Sequence, residues 1–152
     1  MAGNLKIPKY VFRGTTIGYE GGNTQRKYKY TPTSKHIVKA ALFAADCANK
    51  YPTQSVVYIC ETATLTSFGK PSGNRLKKYE EELAWPVVPE QFYPNCIGFV
   101  YLKDLLMILT RFGIVVEPLV DKTNITELCK KVKKIPEPTI EEIVDALSAY
   151  LQ

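Results

Sequence analysis

The pattern of hydrophobic and polar positions along the chain predicts short strands, several of them followed by helices. The clearest buried strand is the uncharged run at residues 55–60, which is rich in Val, Ile and Tyr. Tyr10-Val11-Phe12 predicts a strand that ends at Arg13-Gly14. Residues 83–88 and 97–101 predict two more strands, so the N-terminal two thirds of the chain is rich in strands.

A helix is predicted directly after a short strand-like segment. Residues 27–31 alternate as a strand does, and Pro32 interrupts that pattern. Ser34 is a favourable N-cap residue for a helix at residues 35–50. The apolar stripe of this helix has helical spacing and consists of Ile37, Ala40, Ala41, Ala44 and Ala48, with Phe43 beside it.

The C-terminal third of the chain predicts helices. Residues 104–112 read as a short helix closed by Gly113. Capping-box spacings occur at residues 124–127 and 139–142, and they predict two helices within a helical segment of about 122–152. The apolar face of the last helix consists of Ile140, Ile143, Val144, Leu147 and Leu151.

These elements together predict an α+β fold with a mixed or antiparallel sheet. The length of 152 residues suits a single domain, residues 1–152, with one core. Two polar segments, residues 14–29 and 66–79, read as loops. The first is longer than most connections, which indicates either a functional loop or disorder.

Composition and charge exclude several classes of protein. The chain is 45% hydrophobic and 23% charged, as ordinary globular proteins are. No apolar run approaches the roughly 20 residues that span a membrane. Residues 1–6 lack the apolar core of a signal peptide, so we expect the protein in a cytoplasm, either its own or that of a host. The net charge of +5 suits a polyanionic partner or an ordinary soluble surface.

The residues that commonly bind metals or act as nucleophiles are scattered. Cys47, Cys60, Cys96 and Cys129 show no metal-site spacing, so we expect reduced thiols and no metal. His36 is the only histidine, and its position near the start of the predicted helix favours an exposed or capping role. Catalysis by a Ser/His/Asp or Cys/His set is therefore not expected.

Arg13-Gly14-Thr15 is the first segment with candidate chemistry. A guanidinium is permanently charged, and its planar fork of donors matches a phosphate or a carboxylate. At the end of a buried strand Arg13 needs a partner. That partner is either a bound anion or a carboxylate of the chain itself.

Two further segments carry hydroxyl and carboxyl groups. Thr33 and Ser34 place two hydroxyls just before the predicted helix, where Ser34 is also a simple N-cap candidate. Glu80-Glu81-Glu82 lies between a basic loop and an apolar strand. On a strand, Glu80 and Glu82 share one face and Glu81 takes the other. The alternative for the acidic run is a solvated turn.

The order and spacing of these motifs resemble the arginine–serine–glutamate class of NAD-dependent ADP-ribosyltransferases, over roughly residues 9–101. In that class an Arg ends the first strand, and a Ser/Thr-x-Ser element opens the next strand. A helix with the pattern A-x-x-F-A follows, matched here by residues 40–44, and a Glu-x-Glu pair comes last. Pro32 stands where the leading serine of the class would be.

The resemblance implies a fold, a substrate and a set of site residues. The fold would be an ADP-ribosyltransferase-like sheet with a central cleft and C-terminal helices. NAD would be the substrate, without a metal. The residues that would bind NAD are Arg13, Gly14, Thr15, Thr33, Ser34 and Phe43. The catalytic set would be Glu82, Glu80 and Arg13.

The chemistry of that class assigns separate roles to the two glutamates. Loss of nicotinamide leaves an oxocarbenium-like ribosyl cation. A carboxylate bonded to the ribose 2′-hydroxyl stabilises this charge most in the transition state, and Glu82 is the residue expected in that role. Glu80 would orient or deprotonate the acceptor.

Several alternatives remain open from the sequence. The acceptor is a macromolecule, either protein or nucleic acid. The basic and aromatic residues of the loop from Phe68 to Tyr79 could contact a nucleic-acid backbone, or that loop could simply be solvated. Members of the class often act as toxins or effectors. An NAD glycohydrolase of the same fold and a basic, non-enzymatic module that binds RNA or protein are the alternative functions.

Overall fold

The structure, a computed structural model, describes residues 7–17, 30–50, 55–73, 82–114 and 131–152, without the side chains of residues 46–50 and 82. The strands in these ranges are β1 (Tyr10–Thr16), β2 (Thr31–Ser34), β3 (Ser55–Glu61), β4 (Ser72–Gly73), β5 (Glu82–Trp85) and β6 (Gly98–Tyr101). The helices are α1 (Ile37–Lys50), α2 (Thr62–Leu65), α3 (Pro89–Phe92), α4 (Leu102–Arg111) and α5 (Glu137–Leu147). Short 3₁₀ helices lie at Thr66–Phe68, Tyr93–Asn95 and Ser148–Tyr150.

The described strands form one antiparallel sheet in the order β4-β5-β2-β1-β3-β6. Strand β1 lies between β2 and β3, and its seven residues all pair with β3. The predicted α+β class with an antiparallel sheet is therefore confirmed. Because every neighbouring pair is antiparallel, side chains on adjacent strands stand directly opposite one another and form cross-strand pairs.

One face of the sheet, here called the helix face, is covered by α1, α4 and α5. Strand residues Phe12, Val57 and Ile59 point into this layer. The predicted stripe of α1 is confirmed where its side chains are described. The buried members of that stripe are Ile37, Ala40, Ala41 and Ala44. Alanines let the helix axis approach the sheet, because they add little volume between the two backbones.

Strand β1 is longer than the sequence pattern predicts, and Arg13 lies at its centre instead of at its end. The ladder between β1 and β3 continues to the pair Thr16↔Ser55. The prediction of a loop was therefore wrong for residues 14–16, whereas residues 18–29 lie outside the described residues.

Gly14 provides the physical reason for this longer strand. A Cβ at Gly14 would overlap the carbonyl oxygen of Ala40 and would lie 2.8 Å from the backbone nitrogen of Ala44. Only the absence of a side chain lets α1 pack directly on β1. In the sequence, the glycine after an arginine indicated the end of a strand, but its use is a close backbone contact.

The opposite face of the sheet, here called the second face, carries a smaller core. Short elements α2 and α3 and the 3₁₀ helices next to them cover part of it. The buried residues of this core are Val11, Cys60, Leu65, Leu83, Trp85, Val87 and Phe92. On β1, residues Val11 and Arg13 share this face because side chains alternate along a strand.

Pro32 lies inside β2 and does not interrupt a strand, so the predicted break was wrong. Pro32 pairs with Ala84 of β5, and Ser34 is the residue of β2 that pairs with Phe12 of β1. Proline has no N–H for a ladder hydrogen bond. On the β1 side, the Arg13 Nη1 atom donates to the carbonyl oxygen of Pro32 at 3.0 Å, so a side chain provides this contact.

The remaining elements follow the sequence pattern with shifted ends. The strand predicted at residues 83–88 ends at Trp85, because Pro86 cannot continue the ladder. The helix closed by Gly113 is confirmed, and Gly113 has a φ of 76°.

The last helix is confirmed as α5, but it begins at Glu137 with Pro136 as its N-cap and no side-chain cap, so the capping box predicted at residues 139–142 was wrong. Residues 115–130, with the first helix of the segment 122–152, lie outside the described residues.

Candidate functional site

Arg13 is held on the second face of the sheet by two hydrogen bonds. Its Nε atom donates to the hydroxyl of Tyr93 at 2.8 Å, and its Nη1 atom donates to the Pro32 carbonyl at 3.0 Å. The side chain is half-buried. Burial of a charged group requires such partners, and the phenol and the backbone carbonyl fix the orientation of the guanidinium.

Aromatic rings continue the surface beside Arg13. Tyr58 is the register partner of Arg13 on β3, and the Tyr93 ring lies 4.2 Å from the Tyr58 ring, centroid to centroid. Phe99 follows at 5.2 Å from Tyr58, and Tyr101 follows at 5.7 Å from Phe99. All four rings are partly exposed, so this aromatic row extends across β3 and β6.

The sequence reasoning did not identify the aromatic row. Its signal is one aromatic on β3 beside two aromatics that alternate along β6, with Tyr58↔Phe99 as the direct pair. That pairing is invisible without the register of β3 against β6. Tyr93 is not on a strand; it belongs to a short 3₁₀ helix that lies over the sheet.

Thr33 lies on β2 opposite Arg13, and its hydroxyl is used within the fold. Its Oγ1 atom donates to the Leu83 carbonyl at 2.9 Å and accepts a hydrogen bond from Trp85 Nε1 at 3.1 Å. These bonds join β2 to β5 in a buried position. The structure therefore gives Thr33 a bracing role between two strands.

Ser34 is the last residue of β2 and lies three positions before the start of α1. Its Oγ atom accepts a hydrogen bond from the His36 backbone nitrogen at 3.0 Å. The predicted N-cap role of Ser34 is therefore wrong, because α1 begins at Ile37 and the carbonyl of His36 accepts its first helical hydrogen bond. The Ser34 hydroxyl instead closes the turn before the helix. Ser34 pairs in register with Phe12 on one side and with Glu82 on the other.

Glu82 is the first residue of β5, at the level of Ser34 in the sheet. The three sequence motifs are therefore brought to three adjacent strands, β1, β2 and β5, although they are far apart in the chain. The side chain of Glu82 and all of Glu80 lie outside the described residues. The basic segment at residues 74–79 does so as well.

The other predicted NAD contacts lie in different places. Thr15 is buried on β1, two positions after Arg13 and on the same face. Gly14 faces α1, and Phe43 packs against the core of the helix face. The structure therefore brings Thr15 near Arg13 but does not bring Gly14 or Phe43 to that face.

Cys60 and Cys96 form a thiol pair at the edge of the second core, and both are reduced, as predicted. A hydrogen bond from the Cys96 thiol to the Cys60 sulfur lowers the pKa of Cys60. The same contact, together with burial, raises the pKa of Cys96 well above its usual value. Cys96 is therefore a neutral thiol at pH 7.

Metal ligands and membrane segments were searched among the described residues. No group of three or more His, Cys, Asp or Glu side chains in those ranges could hold a metal ion. Among the helices described, none has the length and apolar character needed to cross a membrane.

Comparisons with protein-family models, with curated proteins and with solved structures find no match to this chain. Its function is therefore inferred from the geometry of the Arg13 surface and from the motifs around it.

Proposed function

We propose that this chain is a mono-ADP-ribosyltransferase that cleaves NAD at the nicotinamide bond and transfers ADP-ribose to a macromolecular acceptor. The proposal includes an ADP-ribosyltransferase-like fold with a central cleft. NAD is the substrate, and the reaction uses no metal. A role as a toxin or effector belongs to the same proposal.

A single observation carries the proposal: the arginine, the hydroxyl pair and the glutamate lie on three adjacent strands. Arg13 is on β1, Thr33 and Ser34 are on β2, and Glu82 begins β5, in the order β5-β2-β1 across the sheet. Motifs separated by about 20 to 50 positions in sequence need not meet in a fold. Here they lie on neighbouring strands. Arg13 and Thr33 belong to the second face. Ser34 and Glu82, in contrast, are in register with Phe12 of the helix face, so the proposal rests on the adjacency of the strands.

The Arg13 surface supports the proposal through its chemistry. A guanidinium suits the pyrophosphate of NAD, because its charge and planar donors match phosphate oxygens. The rings of Tyr58 and Tyr93 suit a flat heteroaromatic group, because offset stacking of aromatic rings is favourable by about 0.5–1.5 kcal/mol. Both features lie on the second face of the sheet.

The reaction assigned to this site needs only NAD and the acceptor. The bond between the ribose C1′ atom and the nicotinamide nitrogen breaks, and nicotinamide leaves with the electron pair. The Glu82 carboxylate stabilises the ribosyl cation through the 2′-hydroxyl. The acceptor nucleophile then bonds to C1′, and its proton passes to Glu80 acting as the base.

The test is an assay of the whole chain with NAD labelled either in nicotinamide or in the adenylate part, with and without a cell lysate. A transferase releases nicotinamide and leaves adenylate label on a macromolecule. Digestion of that product by protease or by nuclease identifies the acceptor class. The Glu82→Gln chain is the control for contaminating activity.

The outcomes separate the alternatives. Nicotinamide release without macromolecular label would replace the proposal with an NAD glycohydrolase. Absence of release under all conditions, with the chain shown to be folded, would overturn it. A basic binding module for RNA or protein would then be the function to test.

A further inference from the structure

A cavity of about 370 Å³ lies on the helix face, away from Arg13. Three segments form it: the start of β1, the turn between β2 and α1, and the start of α5. Its volume falls at the small end of the roughly 300–1,000 Å³ that ligand pockets occupy. The size suits a small organic molecule.

The inner wall of the cavity is apolar. Tyr10 contributes an aromatic ring, Ile140 belongs to the main core, and Ile135 and Pro136 come from the segment before α5. Burial of an apolar ligand body against such a wall is favourable by about 25 cal/mol per Å². A ring next to Tyr10 gains further from aromatic contact.

The rim of the cavity is basic. Lys9, Lys35 and Lys134 line it, against one carboxylate, that of Glu137. Glu137 Oε1 accepts a hydrogen bond from the Lys9 backbone nitrogen at 3.2 Å. The Lys9 Nζ atom lies 3.5 Å from Glu141. The Lys9 ammonium group thus already has a partner.

Lys35 and Lys134 differ from Lys9 in this respect. Within the described ranges of the chain, neither makes an ion pair. They come from two different segments of the cavity lining, one from the turn before α1 and the other from the segment before α5. Two lysines in the lining of a largely apolar pocket are complementary to an anion that carries an apolar body.

The backbone adds to this charge pattern. Helix α1 begins at Ile37, directly after the lining residues Lys35 and His36, so its positive N-terminal end lies beside the cavity. His36 Nε2 donates to the Lys133 carbonyl at 2.8 Å. This bond holds the segment that carries Lys134 against the start of α1.

We propose that this cavity binds a small aromatic phosphate of the nucleoside monophosphate kind, with the ring system against Tyr10 and the phosphate between Lys35 and Lys134. A phosphate fits better than a carboxylate, because it carries more charge and three strong acceptor oxygens for two lysines and a helix N-terminus. The inference is independent of the proposed function, because none of the residues that line the cavity belongs to the proposed NAD site.

The test is calorimetric titration of the whole chain at low salt, without NAD, using adenosine 5′-monophosphate as the probe. Adenosine and inorganic phosphate are titrated separately as the two halves of the probe. The test variant is Lys35→Met with Lys134→Met, which keeps much of the apolar stem of each side chain. The matched control is Lys70→Met with Lys103→Met, since these exposed lysines lie outside the cavity and their loss changes the net charge equally.

The expected result is saturable binding of one nucleotide per chain, at least tenfold tighter than binding of adenosine or of phosphate alone. The Lys35/Lys134 variant should bind at least tenfold more weakly, and the control should stay within about twofold. Ile135→Trp, which fills the cavity, should also abolish binding. Absence of saturable binding would overturn the inference, and so would equal losses in the two lysine variants.

Discussion

Arg13 and Tyr93 are joined by a hydrogen bond of 2.8 Å from the guanidinium Nε atom to the phenol oxygen, although 80 positions separate them in the chain. The Tyr93 ring also lies against Tyr58, the register partner of Arg13. One short 3₁₀ helix therefore determines how the central arginine of the sheet is oriented. Loss of the Tyr93 hydroxyl should affect stability and the Arg13 surface together.

The first prediction concerns Tyr93→Phe. This change leaves the ring in place but removes the acceptor of a charge-assisted hydrogen bond, so the free energy of unfolding should fall by about 1–3 kcal/mol. If Arg13 binds NAD, the affinity for NAD should fall as well. Urea unfolding and NAD titration measure the two effects.

Tyr101→Phe is the matched control for Tyr93→Phe. Tyr101 belongs to the same aromatic row, and its hydroxyl has no hydrogen bond within the described part of the chain. Its removal should change the free energy of unfolding by less than about 0.5 kcal/mol. Equal losses in the two variants would contradict the special role of the Arg13–Tyr93 bond.

The second prediction concerns Glu82→Gln, which keeps the size of the side chain and removes its charge. The rate of nicotinamide release should fall by roughly two to three orders of magnitude, as for loss of one preorganised electrostatic group. The affinity for NAD should change little, because the interaction strengthens only in the transition state. Single-turnover kinetics and equilibrium titration separate the two quantities.

Glu81→Gln is the neighbouring comparison, since successive strand positions take opposite faces. It should leave most of the activity in place. Loss of activity in Glu81→Gln, with Glu82→Gln unaffected, would transfer the catalytic role to Glu81.

The third prediction compares two glycines. Gly14→Ala places a methyl group against the backbone of α1, and it should lower the free energy of unfolding by about 3 kcal/mol, since neither backbone can move freely. Gly113→Ala meets no atom within 4 Å and suffers only from its φ of 76°. Its effect should be about 1–2 kcal/mol.

Thermal and denaturant unfolding of the two glycine variants gives the ranking directly. A smaller loss in Gly14→Ala than in Gly113→Ala would mean that α1 does not pack on β1 as closely as the structure has it.

The fourth prediction concerns the buried hydroxyl of Thr33. Thr33→Val leaves Trp85 Nε1 and the Leu83 carbonyl without their partner, so the free energy of unfolding should fall by about 2 kcal/mol. Thr33→Ser keeps the hydroxyl and should recover most of this loss. Trp85 is the only tryptophan of the chain, so its fluorescence spectrum reports on the site. An unchanged spectrum and stability in Thr33→Val would contradict the bridge.

The elements with a strong local pattern were predictable from sequence. The apolar run of β3, the alanine stripe of α1 and the amphipathic helix α5 each contain their own signal, since burial imposes a period on the residues. The errors occurred at Gly14 and Pro32. Both residues usually end a strand, and here both lie inside one. Gly14 is where α1 packs on the strand, and Pro32 is where the carbonyl of the strand accepts a hydrogen bond from the Arg13 side chain.

For the candidate site, too, some features were predictable from the sequence and others were not. The sequence by itself determined which chemistry is present: a permanent cation at Arg13, hydroxyls at Thr33 and Ser34, and carboxylates at residues 80–82. It also determined the α+β class, because hydrophobic periodicity is a local property. Only the tertiary structure decided that β1, β2 and β5 are neighbours, that Tyr93 bonds to Arg13, and that Lys35 and Lys134 line the same cavity. Strand order and register depend on how two faces of one sheet are packed, and that packing is a property of the whole chain.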